Sequence, residues 1–197
     1  MSGPDATDEP FAVLVVCTGN VCRSPLAEQL LSARLHAVGV PAIVSSAGTA
    51  ALVGEPMTDQ ATRLSERYGG TPDGHRARQL TAPLVANADL VLTATRRHRA
   101  LVVSELPRAS RYTFTLNEFA RISGALEPER LTATGGRPDG LVEAVAASRG
   151  FVPPLARPED DDIVDPYRRS QEVYDASGAA IDRAVAAIAG VFARLTG

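Results

Sequence analysis

A cysteine and an arginine stand six residues apart, directly after an apolar segment, and this pair could perform phosphate chemistry. Cys17 offers a nucleophilic thiol, and Arg23 offers a planar guanidinium that can bind two phosphate oxygens at once. Between them, Gly19 and Asn20 tolerate the positive φ of a sharp turn. On spacing alone, Cys17 could equally be a small core residue. With the turn residues, the run predicts a loop that holds an oxyanion beside a thiol.

The flanking segments predict where this loop lies. The six apolar residues 11–16 are typical of a strand buried on both faces of a parallel sheet. After the loop, Ser24 and Pro25 favour a helix N-cap and a first helical position, in a helix that ends near Val38. A strand-to-helix turn points backbone amides and the positive end of the helix dipole at one spot. That environment binds anions and stabilises a thiolate.

Strand and helix patterns alternate along the remaining chain. They predict strands over 42–46, 88–94 and 111–116, and helices over 59–68, 97–106 and 171–194. This order predicts a single-domain, three-layer α/β/α fold, with a four-stranded parallel sheet and the phosphate-binding loop after its first strand.

Two regions fall outside this pattern. We expect residues 1–10 to be a flexible N-terminus and residues 11–197 to be one domain with an insertion at about 121–159. The insertion contains one predicted helix, 141–148. It could cap the site or be a surface excursion, and the sequence leaves both open.

Composition narrows the class of protein. The chain has 197 residues, 45% of them hydrophobic, a net charge of −3 and two cysteines. It is long enough for one real core, and its charge argues against a nucleic-acid partner. Two cysteines five residues apart favour a reducing cytoplasm over a disulfide framework. The polar N-terminus and the lack of an apolar run that approaches the thickness of a bilayer predict no signal peptide and no membrane partner. The histidine, cysteine and aspartate spacings suggest no metal site.

The run Cys17 to Pro25 resembles the phosphate-binding loop of the low-molecular-weight protein tyrosine phosphatases. Four further segments resemble that family in the same order, so that the likeness covers about 11–119 and 163–195. They are Ser46-Ala47-Gly48-Thr49, His75-Arg76-Ala77-Arg78-Gln79-Leu80, Asp89-Leu90-Val91-Leu92 and Asp165-Pro166-Tyr167. The resemblance implies a phosphomonoester hydrolase, in the first place a protein-tyrosine phosphatase, that works through a phosphocysteine intermediate without metal or other cofactor.

The resemblance also implies a role for each matching residue. Cys17 would be the nucleophile, Arg23 the phosphoryl-binding cation and Asp165 the general acid. Ser24 would stabilise the thiolate, and Tyr167 would form a stacking wall. The residues expected to bind phosphate through the loop are Thr18, Gly19, Asn20, Val21 and Cys22; Ser46 and His75, with the Asn20 side chain, would brace it.

Three further expectations concern residues near these motifs. We expect Asp160, Asp161 and Asp162 to be a solvated charge run. We expect His36 and His98 to lie on the surface. The resemblance implies that Cys22 forms a reversible disulfide with the nucleophile; the alternative is a small buried side chain.

Departures from the family leave the substrate open. Ala50-Ala51-Leu52 stands where relatives often carry a bulky aromatic residue, and the chain has no tryptophan. Val21 stands where arginine-phosphate phosphatases carry threonine and tyrosine phosphatases a larger aliphatic residue. Arg168 and Arg169 would favour acidic substrates if they face the mouth. The alternatives are a phosphatase of sugar or nucleotide phosphates, a protein-arginine phosphatase and, since no cysteine follows Cys22, less readily an arsenate reductase.

Overall fold

The computed structural model describes residues 10–153 and 155–196, so that the predicted flexible N-terminus lies outside the described residues except for Pro10. The strands are β1 (Phe11–Cys17), β2 (Ala42–Gly48), β3 (Leu90–Thr93) and β4 (Thr113–Thr115). The helices are α1 (Arg23–Ala37), α2 (Asp59–Arg67), α3 (Ala82–Ala86), α4 (Arg96–Glu105), α5 (Leu116–Gly124), α6 (Pro128–Thr132), α7 (Pro138–Ser148) and α8 (Gln171–Thr196). Two 3-10 turns cover Pro107–Arg111 and Pro158–Asp161.

The four strands form one parallel sheet in the order β2-β1-β3-β4. Strand β1 is central, and Val13 pairs with Val44 on one side and with Leu90 on the other. The strand order changes direction at β1, and ligands bind at such switch points in open α/β sheets. The loop that follows Cys17 therefore starts at this point, at the carboxyl edge of the sheet.

Side chains on alternate faces of β1 build two hydrophobic layers. Val13 and Val15 contribute to one layer, which α1, α5 and α8 cover; Leu14 and Val16 contribute to the other, which α3 and α4 cover. The predicted three-layer α/β/α fold with its four-stranded parallel sheet is confirmed.

Helix α8 corrects the expectation about membrane-spanning length. Gln171–Leu195 is long and apolar enough to cross a bilayer by composition alone, with a mean hydropathy of 1.4 in its best window. Half of that window is buried inside the fold, where Ile181, Val185 and Ile188 pack in the same hydrophobic layer as α1 and α5. A central core helix has the same composition as a spanning helix, and here the buried face belongs to the core.

The segment that was predicted as an insertion is built into the core. Its first residues complete α5, whose N-terminus has a capping box between Thr115 and Glu118. Helices α6 and α7 bury Leu131, Leu141 and Val145 in the larger hydrophobic layer. The segment is thus not a loose surface excursion. Its helices also do not reach the cavity at the carboxyl edge of β1, whose lining comes from other segments.

Arg149, just after α7, ties this segment to the edge strand. Its guanidinium lies 3.8 Å from the centre of the Phe114 ring, and its Nη1 donates to the Ser110 carbonyl at 2.7 Å. It also donates to the Thr113 carbonyl and pairs with Glu118. Burial lowers the pKa of Arg149, while Glu118 favours its charged form. The segment therefore covers the β4 edge of the sheet and not the site.

Candidate active site

All six carbonyls from Cys17 to Cys22 are hydrogen-bonded on the outside of the loop. The carbonyls of Cys17, Thr18 and Gly19 accept hydrogen bonds from the backbone N–H groups of Thr49, Ala50 and Leu52, at 2.9, 3.0 and 3.0 Å. The Val21 carbonyl accepts from Thr58 N at 2.9 Å, and the Cys22 carbonyl accepts from Leu26 N at 3.2 Å. His75 Nε2 donates to the Asn20 carbonyl at 2.7 Å. In a trans peptide the N–H points away from the carbonyl of the same unit, so the amides of residues 18–23 turn inward. Sequence reasoning missed the four hydrogen bonds from Thr49, Ala50, Leu52 and Thr58, because backbone donors from distant segments leave no residue-type signal.

Asn20 holds the loop from within. It has a positive φ of 58° and is fully buried. Its Nδ2 donates to Ser24 Oγ at 2.9 Å and to Ser46 Oγ at 2.7 Å, while its Oδ1 accepts from Arg78 N at 2.9 Å. The structure thus brings together Asn20, Ser46 and His75, the three residues expected to brace the loop.

Gly48, the last residue of β2, lets the end of this strand pass close to the loop. A Cβ at this position would lie 2.3 Å from the Thr18 carbonyl oxygen, so a side chain there would displace the loop. The close approach lets the following residues, Thr49 and Ala50, donate to the loop carbonyls.

The Cys17 thiol lies at the floor of the loop beside a hydroxyl. Its Sγ is 3.0 Å from Ser24 Oγ, and both residues are buried. Ser24 Oγ accepts from Asn20, and its other possible acceptor, the Ala47 carbonyl, lies 3.5 Å away, so the hydroxyl hydrogen can point to the nearer sulfur. The expectation that Ser24 caps the helix is wrong: α1 begins at Arg23 after Cys22, and the Ser24 hydroxyl serves the thiol instead.

Arg23 is buried and connects the loop to the Asp165 segment. Arg23 is 4% exposed. Its Nη1 donates to the Ile163 carbonyl at 3.1 Å, and its Nη2 lies 2.7 Å from Asp165 Oδ2. The buried Nε has no hydrogen-bond partner in the described part of the chain. A buried N–H group without a partner is costly, and an anion in the loop would satisfy it.

Asp165 lies at the mouth of the loop, where its side chain is 51% exposed. Besides Arg23, its carboxylate accepts a hydrogen bond from the Tyr167 backbone N at 3.2 Å. Cys17, Arg23 and Asp165, which are far apart in sequence, therefore line one cavity.

Of the three aspartates expected to be a solvated charge run, Asp160 is exposed as predicted, whereas the expectation is wrong for the partly buried Asp161 and Asp162. Each pairs with a different arginine: Asp160 with Arg157, Asp161 with Arg121 and Asp162 with Arg96. Only Asp160 has an exposed partner three residues away; the other two reach helices α5 and α4. Arginines distant in sequence supplied these partners, so the run alone could not reveal them.

His98 was also expected on the surface, and the structure buries it to 5% exposure; His36 is exposed as predicted. His98 Nε2 lies 2.9 Å from Thr18 Oγ1 in the loop, and His98 Nδ1 lies 2.8 Å from Thr95 Oγ1. Burial and the nearby Arg23 charge lower the pKa of His98 to about 4. The available signal was Thr95, which caps α4 and places His98 in its first turn.

Cys22 is a buried thiol under the loop. Its Sγ lies 3.4 Å from the Tyr174 hydroxyl and 3.5 Å from Thr58 Oγ1. Burial raises the pKa of the Cys22 thiol, and burial and Cys22 raise the pKa of Tyr174 to about 12. Cys17 and Cys22 are both free thiols in this structure. The disulfide between them stays a prediction.

The cavity above Cys17 has a volume of about 190 Å³. Its walls are largely apolar and include Val21, Ala50, Leu52 and the exposed Tyr167. Thr18, Gly19 and Cys22 also line it. Arg168 has a φ of 59°, and its guanidinium lies 5.1 Å from the centre of the ring of Tyr167, which lines the cavity. Within residues 10–153 and 155–196, no group of three or more His, Cys, Asp or Glu side chains is placed to hold a metal ion.

The site belongs to the class of anion-binding loops that are built around a cysteine at the carboxyl end of a central strand. Residues 12–129 match the model of the family described as low molecular weight phosphotyrosine protein phosphatase. This match covers more than half of the chain, and the chain belongs to that family. The match ends before Asp165, so the place of that residue rests on the geometry.

Sequence and structure relatives agree with this assignment. The low molecular weight protein-tyrosine-phosphatase Etp of Escherichia coli K12 is 36% identical over 119 residues, which are 60% of this chain and 78% of Etp. Vibrio vulnificus Wzb in complex with benzylphosphonate superimposes with a TM-score of 0.65 at 27% identity, over 92% of this chain and 99% of Wzb. The YwlE arginine phosphatase from Geobacillus stearothermophilus gives a TM-score of 0.65 at 28% identity, over 92% of each chain.

Proposed function

We propose that this chain is a cysteine-dependent protein-tyrosine phosphatase that hydrolyses phosphate monoesters through a phosphocysteine at Cys17. The observation that carries the proposal is the outward bonding of all six carbonyls from residue 17 to 22, which turns six amides toward the space above the Cys17 sulfur. Such a ring of donors, with Arg23 beside it, suits the three equatorial oxygens of a phosphoryl group in its transition state. Family membership supports the same reaction.

In the first step, the Cys17 thiolate attacks phosphorus and forms the S–P bond while the bond from phosphorus to the leaving oxygen breaks. The Asp165 carboxyl gives its proton to that oxygen, which leaves as the hydroxyl of the dephosphorylated substrate. Arg23 and the loop amides bind the phosphoryl oxygens throughout.

In the second step, the Asp165 carboxylate accepts a proton from water, and the water oxygen attacks phosphorus. The S–P bond breaks, so the electron pair returns to Cys17 and inorganic phosphate is released. The Ser24 hydroxyl, 3.0 Å from the sulfur, donates to the departing thiolate. The reaction needs no metal or other cofactor in this proposal, because Arg23 and the amides supply the positive field.

The pair between Arg23 and Asp165 suggests how binding prepares the acid. At 2.7 Å, Asp165 occupies one branch of the guanidinium that a phosphoryl group would take. A bound dianion would compete with Asp165 for Arg23, and the freed carboxyl would then lie beside the leaving oxygen. Binding of the phosphoryl group to Arg23 would thus release the Asp165 carboxyl from Arg23 in the same step.

Phosphotyrosine is the substrate that the cavity suits best. The apolar lining by Val21, Ala50 and Leu52 would contact a flat ring, and Tyr167 would stack against it. We place the phosphorylated protein partner in the cytoplasm, in line with two free cysteines. The YwlE relatives make a phosphoarginine protein the second candidate, and a small sugar or nucleotide phosphate remains a third.

The test is a parallel assay of the purified chain on a phosphotyrosine peptide, a phosphoarginine protein, and sugar and nucleotide phosphates. We expect the highest kcat/KM for phosphotyrosine and no turnover of any substrate by Cys17→Ser. Dominance of phosphoarginine or of a metabolite would replace the substrate but keep the chemistry. Full activity of Cys17→Ser would overturn the mechanism.

A further inference from the structure

We propose that Asp162 is a positioning residue, which fastens the acid-bearing segment to the N-terminus of α4 and so sets the place of Asp165. The inference rests on the proposed function, because it assigns Asp165 the role of general acid. It concerns the contacts of the segment 160–165, in which the three consecutive aspartates 160–162 have different surroundings.

Asp162 makes a two-oxygen clasp on Arg96. Its Oδ1 accepts from the Arg96 backbone N at 2.7 Å and from Nε at 3.2 Å, and its Oδ2 accepts from Nη2 at 3.1 Å. The backbone N belongs to the first turn of α4, where a carboxylate also meets the positive end of the helix dipole. The hydrogen bond to Asp162 raises the pKa of Arg96, in line with a fork-to-carboxylate pair.

The next residue continues the attachment toward the phosphate-binding loop. Ile163 is buried, its N donates to the Ala94 carbonyl at 2.8 Å, and its carbonyl accepts from Arg23 Nη1 at 3.1 Å. Asp162 therefore attaches the segment to α4, and Ile163 attaches it to Ala94 and to Arg23. Asp165 follows two residues later.

Beyond this attachment, Asp165 has few constraints of its own. Val164 and the Asp165 side chain are exposed, and the contacts of the carboxylate are Arg23 and the Tyr167 backbone N. When a phosphoryl group takes Arg23, the clasp at Asp162 and the bonds of Ile163 are what keep the acid near the leaving oxygen. A misplacement of about 1 Å can cost an enzyme on the order of a hundredfold in rate.

Asp160 provides a matched control two residues away. Its carboxylate pairs with Arg157, and both side chains are largely exposed. Its backbone carbonyl accepts from Asn117 Nδ2 at 3.1 Å, which a side-chain substitution leaves in place. An exposed pair of this kind contributes little to structure.

The experiment measures kcat/KM for a series of aryl phosphates with increasingly basic leaving groups, from 4-nitrophenyl to phenyl phosphate. A misplaced acid harms the poor leaving group most, because that oxygen needs the proton. We expect Asp162→Ala to lose about tenfold or more on phenyl phosphate and about threefold or less on 4-nitrophenyl phosphate. Asp160→Ala should follow the wild type across the series. Arg96→Gln keeps the backbone N–H that donates to Asp162 but loses the bonds from Nε and Nη2, so its dependence should be steeper than that of the wild type and shallower than that of Asp162→Ala.

The inhibition constant of inorganic phosphate separates positioning from general damage, and we expect it to stay within about twofold of wild type in Asp162→Ala, since the loop is untouched. A dependence on the leaving group that is parallel to wild type, in both Asp162→Ala and Arg96→Gln, would overturn the proposal. An equally steep dependence in Asp160→Ala would also overturn it. If the wild type hydrolyses none of these esters, the proposed function fails instead.

Discussion

The two sides of the cavity are built by different means. On one side, most of the loop of residues 17–23 is buried, and every carbonyl from Cys17 to Cys22 accepts a hydrogen bond, from the His75 side chain at Asn20 and from backbone N–H groups at the other five residues. On the other side, the segment from Arg157 to Tyr167 lies near the surface and is held largely by pairs between aspartates and arginines. The loop amides that would bind phosphate are thus held in place by the fold before substrate arrives, while Asp165 is held by a contact with Arg23 that can exchange.

This difference suits the two tasks. Stabilising a transition state by electrostatics requires donors that do not reorganise, which a closed backbone network provides. A general acid must donate a proton and then accept one, so its surroundings have to change with the state of the reaction. Changes on the acid side should therefore affect the proton-dependent steps, and changes on the loop side should affect phosphate binding as well.

Among substitutions that keep Cys17, the largest effect is expected for Asp165→Asn. The amide cannot donate a proton as the carboxyl does, so we expect kcat/KM for a phosphotyrosine peptide to fall by about 10²- to 10⁴-fold. Phosphate inhibition should be as strong as in wild type or stronger, because the amide competes less well for Arg23. Equal losses in turnover and in phosphate binding would contradict the separation of the two sides.

A smaller loss, shared by turnover and phosphate binding, is expected for Asn20→Ala. The substitution removes the side-chain hydrogen bonds to Ser24, Ser46 and Arg78 N and leaves alanine at a positive φ. We expect the free energy of unfolding to fall by roughly 2 to 4 kcal/mol, and activity and phosphate affinity each by about tenfold or more. Asn20→Gly is the matched variant, since glycine relieves the strain but restores no bond. Chemical denaturation of both variants measures the two contributions, and full phosphate affinity in Asn20→Gly would show that the bonds are dispensable.

Protonation of His98 should lower the stability of the fold at acidic pH. Its folded pKa is about 4, against about 6.5 when unfolded, so the unfolded chain binds more protons between these values. Its contribution to stability is complete above about pH 6.5 and is lost as the pH falls toward 4. In urea titrations across this range, we expect wild type to lose roughly 1 to 3 kcal/mol that His98→Gln does not lose. The same pH dependence in both proteins would contradict the assignment.

The smallest effect is expected at the mouth. Arg168 stands beside the Tyr167 ring and would attract acidic residues that flank a phosphotyrosine. Arg168→Gln should lower kcat/KM for an acidic peptide by about two- to fivefold and leave a neutral peptide unchanged at low salt. Arg108→Gln, at an exposed arginine in the 3-10 turn Pro107–Arg111, is the matched control for net charge. A loss of the same size on the neutral peptide would show that Arg168 does not select for charge.

The loop side could be predicted from the sequence more fully than the acid side. Cys17, Asn20 and Arg23 carry their chemistry in their residue types, and a buried strand with a following helix places them. Their spacing is local, so the turn and the helix dipole follow from a few neighbours. The helix start was misjudged because the Ser24 hydroxyl contacts Cys17 instead of capping α1.

What the sequence did not reveal depends on contacts between distant segments. The hydrogen bonds to the loop carbonyls come from the backbone N–H groups of Thr49, Ala50, Leu52 and Thr58, which almost any residue type could supply. The arginine partners of Asp161 and Asp162 lie on α5 and α4, so a run of three aspartates read like a solvated surface. In the 121–159 segment the predicted helix 141–148 lies within α7, whereas the glycines and prolines around it hid α6. The capping box at Thr115 and Glu118 was the available signal for α5.

The most direct test of the account is to find the phosphoryl group on the protein during turnover. Wild type and Asp165→Asn would be mixed rapidly with 4-nitrophenyl phosphate, quenched, and examined by intact-mass and peptide-mapping mass spectrometry. We predict one added phosphoryl group on Cys17, with more of it in Asp165→Asn, where water is not activated for the second step. A phosphoryl group on another residue, or turnover by Cys17→Ser at the wild-type rate, would contradict catalysis through a phosphocysteine at Cys17.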